Sequence, residues 1–143
     1  MTRLLTDLCR KTRLEDFNIL QSIRGVGPNT AASFLAEMGT VKDFPSYKKL
    51  IAFTGLDPSL HQSGKFVGQS KISKRGNRHL RRAIYLMAAS VVSQNPFFKS
   101  YFFKRKKECL APQKALFAVA HKLIRVIYAM LSQRTFFREM ETI

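Results

Sequence analysis

Asn77-Arg78-His79-Leu80-Arg81-Arg82-Ala83-Ile84-Tyr85-Leu86-Met87-Ala88-Ala89-Ser90-Val91-Val92-Ser93-Gln94-Asn95-Pro96 is the stretch that decides the fold. Leu80, Ile84, Met87, Ala88 and Val91 recur at three- and four-residue spacing, which puts them on one face of a helix. Asn77, or Gly76 before it, caps the start, where a side-chain oxygen can accept from the free amides of a first turn. Asn95-Pro96 ends this helix near Gln94 and opens the next, because proline fits a first helical position and no interior one.

Outward from this segment, Phe97 to about Leu110 reads as a helix. Pro112 opens the last one, Gln113 to about Ser132, with Leu116, Val119, Leu123, Val126, Ile127 and Met130 as its buried stripe. On the other side, residues 3–22 carry helically spaced apolar positions with a break or bend near Arg10 to Arg13. Arg24 to Thr30 is a turn with two glycines, and Pro28 can open the following helix, read from Ala31 to Met38 and stopped by Gly39. Pro45 opens another, Ser46 to Phe53, which Gly55 terminates. Residues 55–75, rich in glycine and serine, read as an irregular loop with room for a short β-hairpin at Lys65 to Ile72. Gln133 to Ile143 is expected to fray. Strand-like segments are few and no internal repeat is visible, so the expected class is all-α.

Charge narrows the partners. The 143 residues carry a formal charge of +16, from 25 Lys and Arg against 9 Asp and Glu. Such a balance opposes compaction by self-repulsion, which a polyanion would relieve. Nucleic acid is the leading partner and an anionic membrane the weaker one. With 45% hydrophobic residues the chain can bury a core, so disorder is not expected. Cys9 and Cys109 form no CxxC pair and have no histidine at ligand spacing, which reads as two reduced thiols in a cytosolic protein. The first residues lack the long apolar segment of a secretory signal. The longest apolar run, Ala83 to Val92 broken only by Ser90, is about half the length of a spanning helix. A soluble intracellular protein is the expectation.

Three motifs carry chemistry. Ile23-Arg24-Gly25-Val26-Gly27-Pro28-Asn29-Thr30-Ala31 puts a glycine hairpin at a helix start, where backbone amides and the helix dipole can hold a phosphate. Gly25, Gly27 and Thr30 are its candidate contacts; an ordinary αα-hairpin is the plain alternative. The motif resembles the helix-hairpin-helix of DNA repair and recombination proteins.

The second is Gly55 to Arg82. After Asp57 no carboxylate occurs until Glu108, so the twelve Lys and Arg between them are locally uncompensated. Ser63-Gly64 lies among them. A serine nucleophile needs an exposed hydroxyl and nearby charge to stabilise the non-bridging oxygens of a phosphate. Lys65, Lys71, Lys74, Arg75, Arg78, Arg81 and Arg82 are candidate suppliers, with Asn77 beside them, and the arginine fork suits two phosphate oxygens. On composition alone, the favoured reading makes Ser63 a turn residue and the basic groups a DNA grip. His61, two residues before Ser63, is a candidate general base or plain polar surface. Glu37 and Asp43 are too isolated for two-metal chemistry.

The third is Phe97-Phe98-Lys99-Ser100-Tyr101-Phe102-Phe103-Lys104-Arg105-Lys106-Lys107. Interleaved aromatic and basic residues can stack bases and hold backbone together. Equally, Phe98, Tyr101 and Phe102 can fill a core stripe while the cations face solvent. Most of the aromatics are assigned to the core and Lys104 to Lys107 to nucleic acid. Lys122 and Arg125 on the last helix extend the basic surface.

The order of these motifs resembles one family. Ile23-x-Gly25-Val26-Gly27-Pro28-x-Thr30-Ala31, then Phe44 to Pro58, Gln62-Ser63-Gly64, and Ile72 to Arg82 look like the C-terminal domain of insertion-sequence transposases. These combine a DEDD nuclease-like domain with a serine-bearing domain and are associated with a bridge RNA. The likeness covers about residues 20–130. It implies DNA binding and a serine nucleophile for strand cleavage and exchange, falling on Ser63, against the reading from composition. It divides the chain into a helical connector at 1–19, the DNA-binding and serine domain at 20–132, and a tail at 133–143. It implies DNA as partner, with a guide RNA and a homo-oligomer in the full-length context, and a cytoplasmic, nucleoid-associated setting in a bacterium or archaeon without membrane binding. No cofactor is expected in this domain; Mg2+ is expected only with an acidic RuvC-like domain. The chain begins inside the helical connector, so it looks like a truncated copy, a fragment or a deliberately isolated domain, expected to bind DNA alone but not to recombine it if the acidic domain completes the active site. The alternative is a non-enzymatic helix-hairpin-helix module that only binds nucleic acid.

Overall fold

The computed structural model describes residues 2–56, 76–108 and 111–138. Among these, the regular elements are seven α-helices and one 3-10 turn, with no strand. The helices are α1 (Thr2–Thr12), α2 (Leu14–Gln21), α3 (Pro28–Met38), α4 (Tyr47–Thr54), α5 (Arg78–Gln94), α6 (Pro96–Lys107) and α7 (Pro112–Gln133). The class is all-α, as the helical periodicity implies. The β-hairpin considered at Lys65 to Ile72 lies outside the described residues.

Local chemistry sets the helix starts. Asn77 Oδ1 accepts from the amides of His79 and Leu80, and Asn95 Oδ1 accepts from that of Phe97. Pro28, Pro96 and Pro112 each occupy a first helical position, where a missing amide leaves no bond unmade. The break in the first helical segment falls at Arg13, within the expected interval.

α5 is the helix that organises the others. It packs against α3, and also against α6 and α7. Leu80, Ile84, Met87, Ala88 and Val91 are buried on it, as their spacing predicts. Opposite them α7 buries Val119, Leu123, Ile124, Ile127 and Leu131. Each such aliphatic side chain contributes about 1.5–3 kcal/mol on leaving water, so this stripe outweighs any single polar contact in holding α5. In length and composition α7 as a whole could cross a membrane, although no shorter run within it stands out in the sequence. Its apolar side is instead covered by α4, α5 and α6.

Several details depart from the sequence reading. α6 ends at Lys107, short of Leu110, with Glu108 as its C-cap. A 3-10 turn, Val41–Asp43, precedes α4. Tyr128 Oη donates to Phe44 O at 2.8 Å, pinning the α3–α4 connection to α7.

The expectation that the chain frays from Gln133 fails as far as Phe137. Gln133 closes α7, and the Phe137 amide donates to Ser22 Oγ at 2.8 Å. The Phe137 ring stacks on Phe98 at 6.0 Å between centroids. Arg134 pairs with Glu15 at 2.8 Å and also with Asp16. The hydrogen bond from Arg134 holds the Glu15 carboxyl below its usual range. For Asp16 burial acts upward, but hydrogen bonds from Arg13 and Arg134 outweigh it and the net shift is downward.

Candidate nucleic-acid interface

The hairpin Ser22 to Gly27 joins α2 to α3, and its two glycines have different reasons to be there. Gly25 has φ +104°, and a Cβ on it would lie 2.9 Å from Val91 Cα and 3.2 Å from Ser90 O. Both conformation and packing therefore exclude a side chain. Gly27 has φ −82°, and a Cβ there would meet only Thr30 Oγ1, at 3.9 Å. Nothing in the packing demands a glycine at 27; its bareness keeps the N-terminus of α3 open.

The carbonyls of the hairpin are turned into the protein. Ser90 Oγ donates to Gly25 O at 2.6 Å, and Asn95 Nδ2 donates to Arg24 O at 3.1 Å. Asn95 is fully buried and serves both α6, as its cap, and the hairpin, as its anchor. Beyond the hairpin, the Ala31 amide makes the first bond of α3, to Gly27 O at 3.0 Å. The amides of Asn29 and Thr30 precede it and point past the helix end, where the dipole favours an anion. The Thr30 hydroxyl donates back to Gly27 O at 3.2 Å, which tightens this turn.

The start of α5 faces the same region. Arg78, His79 and Arg82 are exposed, whereas Arg81 is half-buried and reaches Thr54 O at 3.4 Å. Helical spacing explains the sorting: 78 and 82 share a face, and 81 turns towards the end of α4. Arg82 and His79 line a groove of about 330 Å3 with Asn29, Thr30, Ser33 and Glu37 of α3. The polar stripe Asn29–Ser33–Glu37 at four-residue spacing on an otherwise apolar helix was a legible signal for this wall, and it was missed with His79. Asn77 sits at the groove's end with its side chain engaged. Its Oδ1 caps α5, and its Nδ2 donates to Glu37 Oε2 at 2.8 Å.

Ser63, Gly64, Lys65, Lys71, Lys74 and Arg75 lie outside the described residues, as does His61. The two points that residues 57–75 connect are described, and they are neighbours. At one, the Leu56 amide donates to Thr54 Oγ1 at 3.3 Å, and His121 Nε2 donates to Leu56 O at 2.7 Å. At the other, the Asn77 amide donates to Phe53 O at 2.8 Å. Gly76 between them has φ +108°, and a Cβ there would fall 2.3 Å from Phe53 O, so only glycine fits. The serine-bearing segment thus leaves and re-enters the fold at the corner where α4 ends and α5 begins, beside Arg78.

The other basic candidates divide. Lys122 is half-buried, its Nζ 4.8 Å from the Tyr101 ring centre and 5.6 Å from that of Phe97. Burial, then the charges of Arg125 and Lys104, push its pKa down. It is a packing cation between α6 and α7, and so does not extend the basic surface as expected. Arg125 is exposed above the Tyr47 ring. Among the described residues no three of His, Cys, Asp and Glu converge on a point that could hold a metal ion. Glu37 is tied to Asn77.

Comparison with known proteins fits this layout. The model of the transposase IS116/IS110/IS902 family matches residues 17–102, taking in the hairpin, α3, α4 and α5. The chain is similar to the transposase for insertion sequence element IS1111A of Coxiella burnetii, at 35% identity over 127 residues, covering 87% of this chain and 35% of that protein. It is 32% identical over 119 residues to the insertion element IS110 uncharacterized 43.6 kDa protein of Streptomyces coelicolor, covering 83% of this chain and 29% of that protein. To the pilin gene-inverting protein of Moraxella bovis it is 30% identical over 118 residues, covering 81% of this chain and 37% of that protein. The chain spans about a third of the length of these relatives. A family match over more than half of the chain places the protein: it belongs to the IS116/IS110/IS902 transposase family.

Proposed function

We propose that this chain is the DNA-binding, serine-bearing part of an insertion-sequence transposase. The observation that carries the reading is a juxtaposition. The N-terminus of α3 and, from α5, Arg82 with His79 border one groove, and exposed Arg78 stands at the start of α5, next to the corner that residues 57–75 connect. The α2–α3 hairpin acts as a helix-hairpin-helix contact, holding backbone phosphate on the Asn29 and Thr30 amides without reading sequence. Arg78 and Arg82, with Lys74 and Arg75 of the adjoining segment, grip the same strand and supply charge to the reacting phosphate.

Ser63 is the nucleophile in this reading. Its Oγ bonds to phosphorus as its proton leaves to a base, and the bond from phosphorus to one deoxyribose oxygen breaks. That oxygen departs as a hydroxyl once protonated. The phosphoserine link keeps a phosphodiester for rejoining, so a second strand end can displace the serine. The names of the relatives, transposases and a gene-inverting protein, support such cut-and-rejoin chemistry. The assembly we propose includes an acidic RuvC-like domain binding Mg2+, a guide RNA and a homo-oligomer. Among the described residues no cluster of His, Cys, Asp or Glu could hold Mg2+.

A suicide DNA substrate, incubated with the protein in its full-length context, tests the assignment. Ser63→Ala should abolish the covalent adduct while DNA binding persists. An adduct that survives the substitution would remove Ser63 as nucleophile and leave a DNA-binding module.

A further inference from the structure

The groove between α3 and α5 leaves the densest basic stretch of the chain, on α6, without a role. α6 separates its aromatic residues by side. Phe98 is fully buried, and Phe97 and Tyr101 pack towards the core with Phe137 and Lys122. Phe103 is turned outward and is 48% exposed. Lys99, Phe103 and Lys107 follow one another at four-residue spacing along one face, and Ser100 and Lys104 form the row beside it. Together with Pro96 they line a shallow concavity of about 490 Å3.

This arrangement has a stacking surface at its centre and cations around it. The Phe103 ring is braced by Phe102, edge to face at 5.6 Å, which lowers the entropy lost when a flat group settles on it. The nearby acid, Glu108, is held by Arg105 at 2.8 Å. Among the described residues Lys99, Lys104 and Lys107 make no ion pair. Lys99 and Lys107 lie about 12 Å apart along the helix, on either side of the ring. Lysines alone would suffice for duplex phosphates. An exposed phenyl between them is matched by a partner with both a negative backbone and an accessible base face.

We propose that the Lys99–Phe103–Lys107 face of α6 is a binding site for single-stranded nucleic acid, separate from the α3–α5 groove. An unpaired base stacks on Phe103, and its flanking phosphates lie against Lys99, Lys104 and Lys107. The site stands whether or not Ser63 is a nucleophile, and its test does not depend on strand cleavage.

The chain contains no tryptophan, so Phe103→Trp places a single indole reporter at the centre of the face. Its fluorescence is to be titrated with oligothymidylate, oligouridylate, a blunt duplex of the same length and anionic phospholipid vesicles. Saturable quenching by either single strand, with little response to duplex or vesicles, is the expected result. The two oligonucleotide arms tell whether DNA or RNA is preferred. In anisotropy titrations Phe103→Ala should weaken single-strand binding roughly 5- to 100-fold, and Phe103→Tyr should restore it. Because the side chain is half-exposed, circular dichroism should be unchanged in all three variants. No quenching by either single strand, an equal response to duplex or to vesicles, or wild-type single-strand affinity in Phe103→Ala would each overturn the proposal.

Discussion

Replacing Gly25 with alanine should destabilise the protein by about 2–6 kcal/mol, from two separable causes. A non-glycine residue held at φ +104° costs about 1–3 kcal/mol. The new methyl would sit 2.9 Å from Val91 Cα, a backbone atom in the last turn of α5 that cannot move aside as a flexible side chain would. Forcing extra volume against such a packed surface costs about 1–3 kcal/mol more. Gly27→Ala is the control two residues away. Its φ of −82° suits alanine, and the methyl meets only Thr30 Oγ1, at an ordinary contact distance of 3.9 Å. The loss of a favourable N-cap and the gain from a stiffer unfolded chain then offset each other to within about 1 kcal/mol. Urea denaturation followed by circular dichroism measures both. DNA binding should respond differently: Gly27→Ala, though folded, should bind phosphate backbone less well because its methyl obstructs the α3 N-terminus. If Gly25→Ala unfolds within about 0.5 kcal/mol of wild type, the close seating of the hairpin on α5 is wrong.

Asn95→Ala should lose both the cap on α6 and the donor to Arg24 O, costing about 1–3 kcal/mol. Asn95→Asp, which keeps the cap but sets a buried carboxylate oxygen against Arg24 O, should be destabilised at least as much; a wild-type melting temperature for Asn95→Asp would contradict the dual role. Glu15 and Asp16 have folded-state pKa values below their ordinary ones, so the unfolded chain binds protons first as pH falls. The stability they lend is therefore complete above about pH 5 and lost on going down through the lowered values. Arg134→Ala should lower stability at pH 7 by about 0.5–1 kcal/mol through its partly buried Asp16 partner, with a smaller loss between pH 7 and pH 3 than wild type in urea titrations. An identical acid response in the two proteins would exclude the tail clamp. DNA affinity should fall roughly a thousandfold or more between about 50 and 200 mM salt, and Arg78→Ala with Arg82→Ala should lower the log–log slope by about 2.

Much of the fold was legible because its signals are local. Asn77, Asn95-Pro96, Pro28 and Pro112 mark helix starts through bonds made within three residues, and the α5 and α7 stripes follow from periodicity. What escaped was set by contacts across the chain. Arg134 with Asp16, Phe137 with Ser22 and Asn95 with Arg24 join residues 71 to 118 positions apart, and no window of sequence contains both partners. Lys122 looked like surface because its aromatic neighbours, Phe97 and Tyr101, come from another helix. At the groove, Arg78 and Arg82 could be separated from Arg81 by helical angle alone. The meeting of Arg82 with the N-terminal half of α3 could not, since it depends on how α3 packs on α5. The two glycines of the hairpin look alike in sequence and differ in backbone conformation and in what stands opposite each.

The serine assignment is tested most directly by locating the covalent link. After reaction of the proposed transposase assembly with a suicide substrate, digestion and peptide mass spectrometry should find the nucleotide remnant on Ser63. A remnant on Ser59, Ser70, Ser73 or any other residue, or a substrate cleaved with no protein adduct, would contradict it.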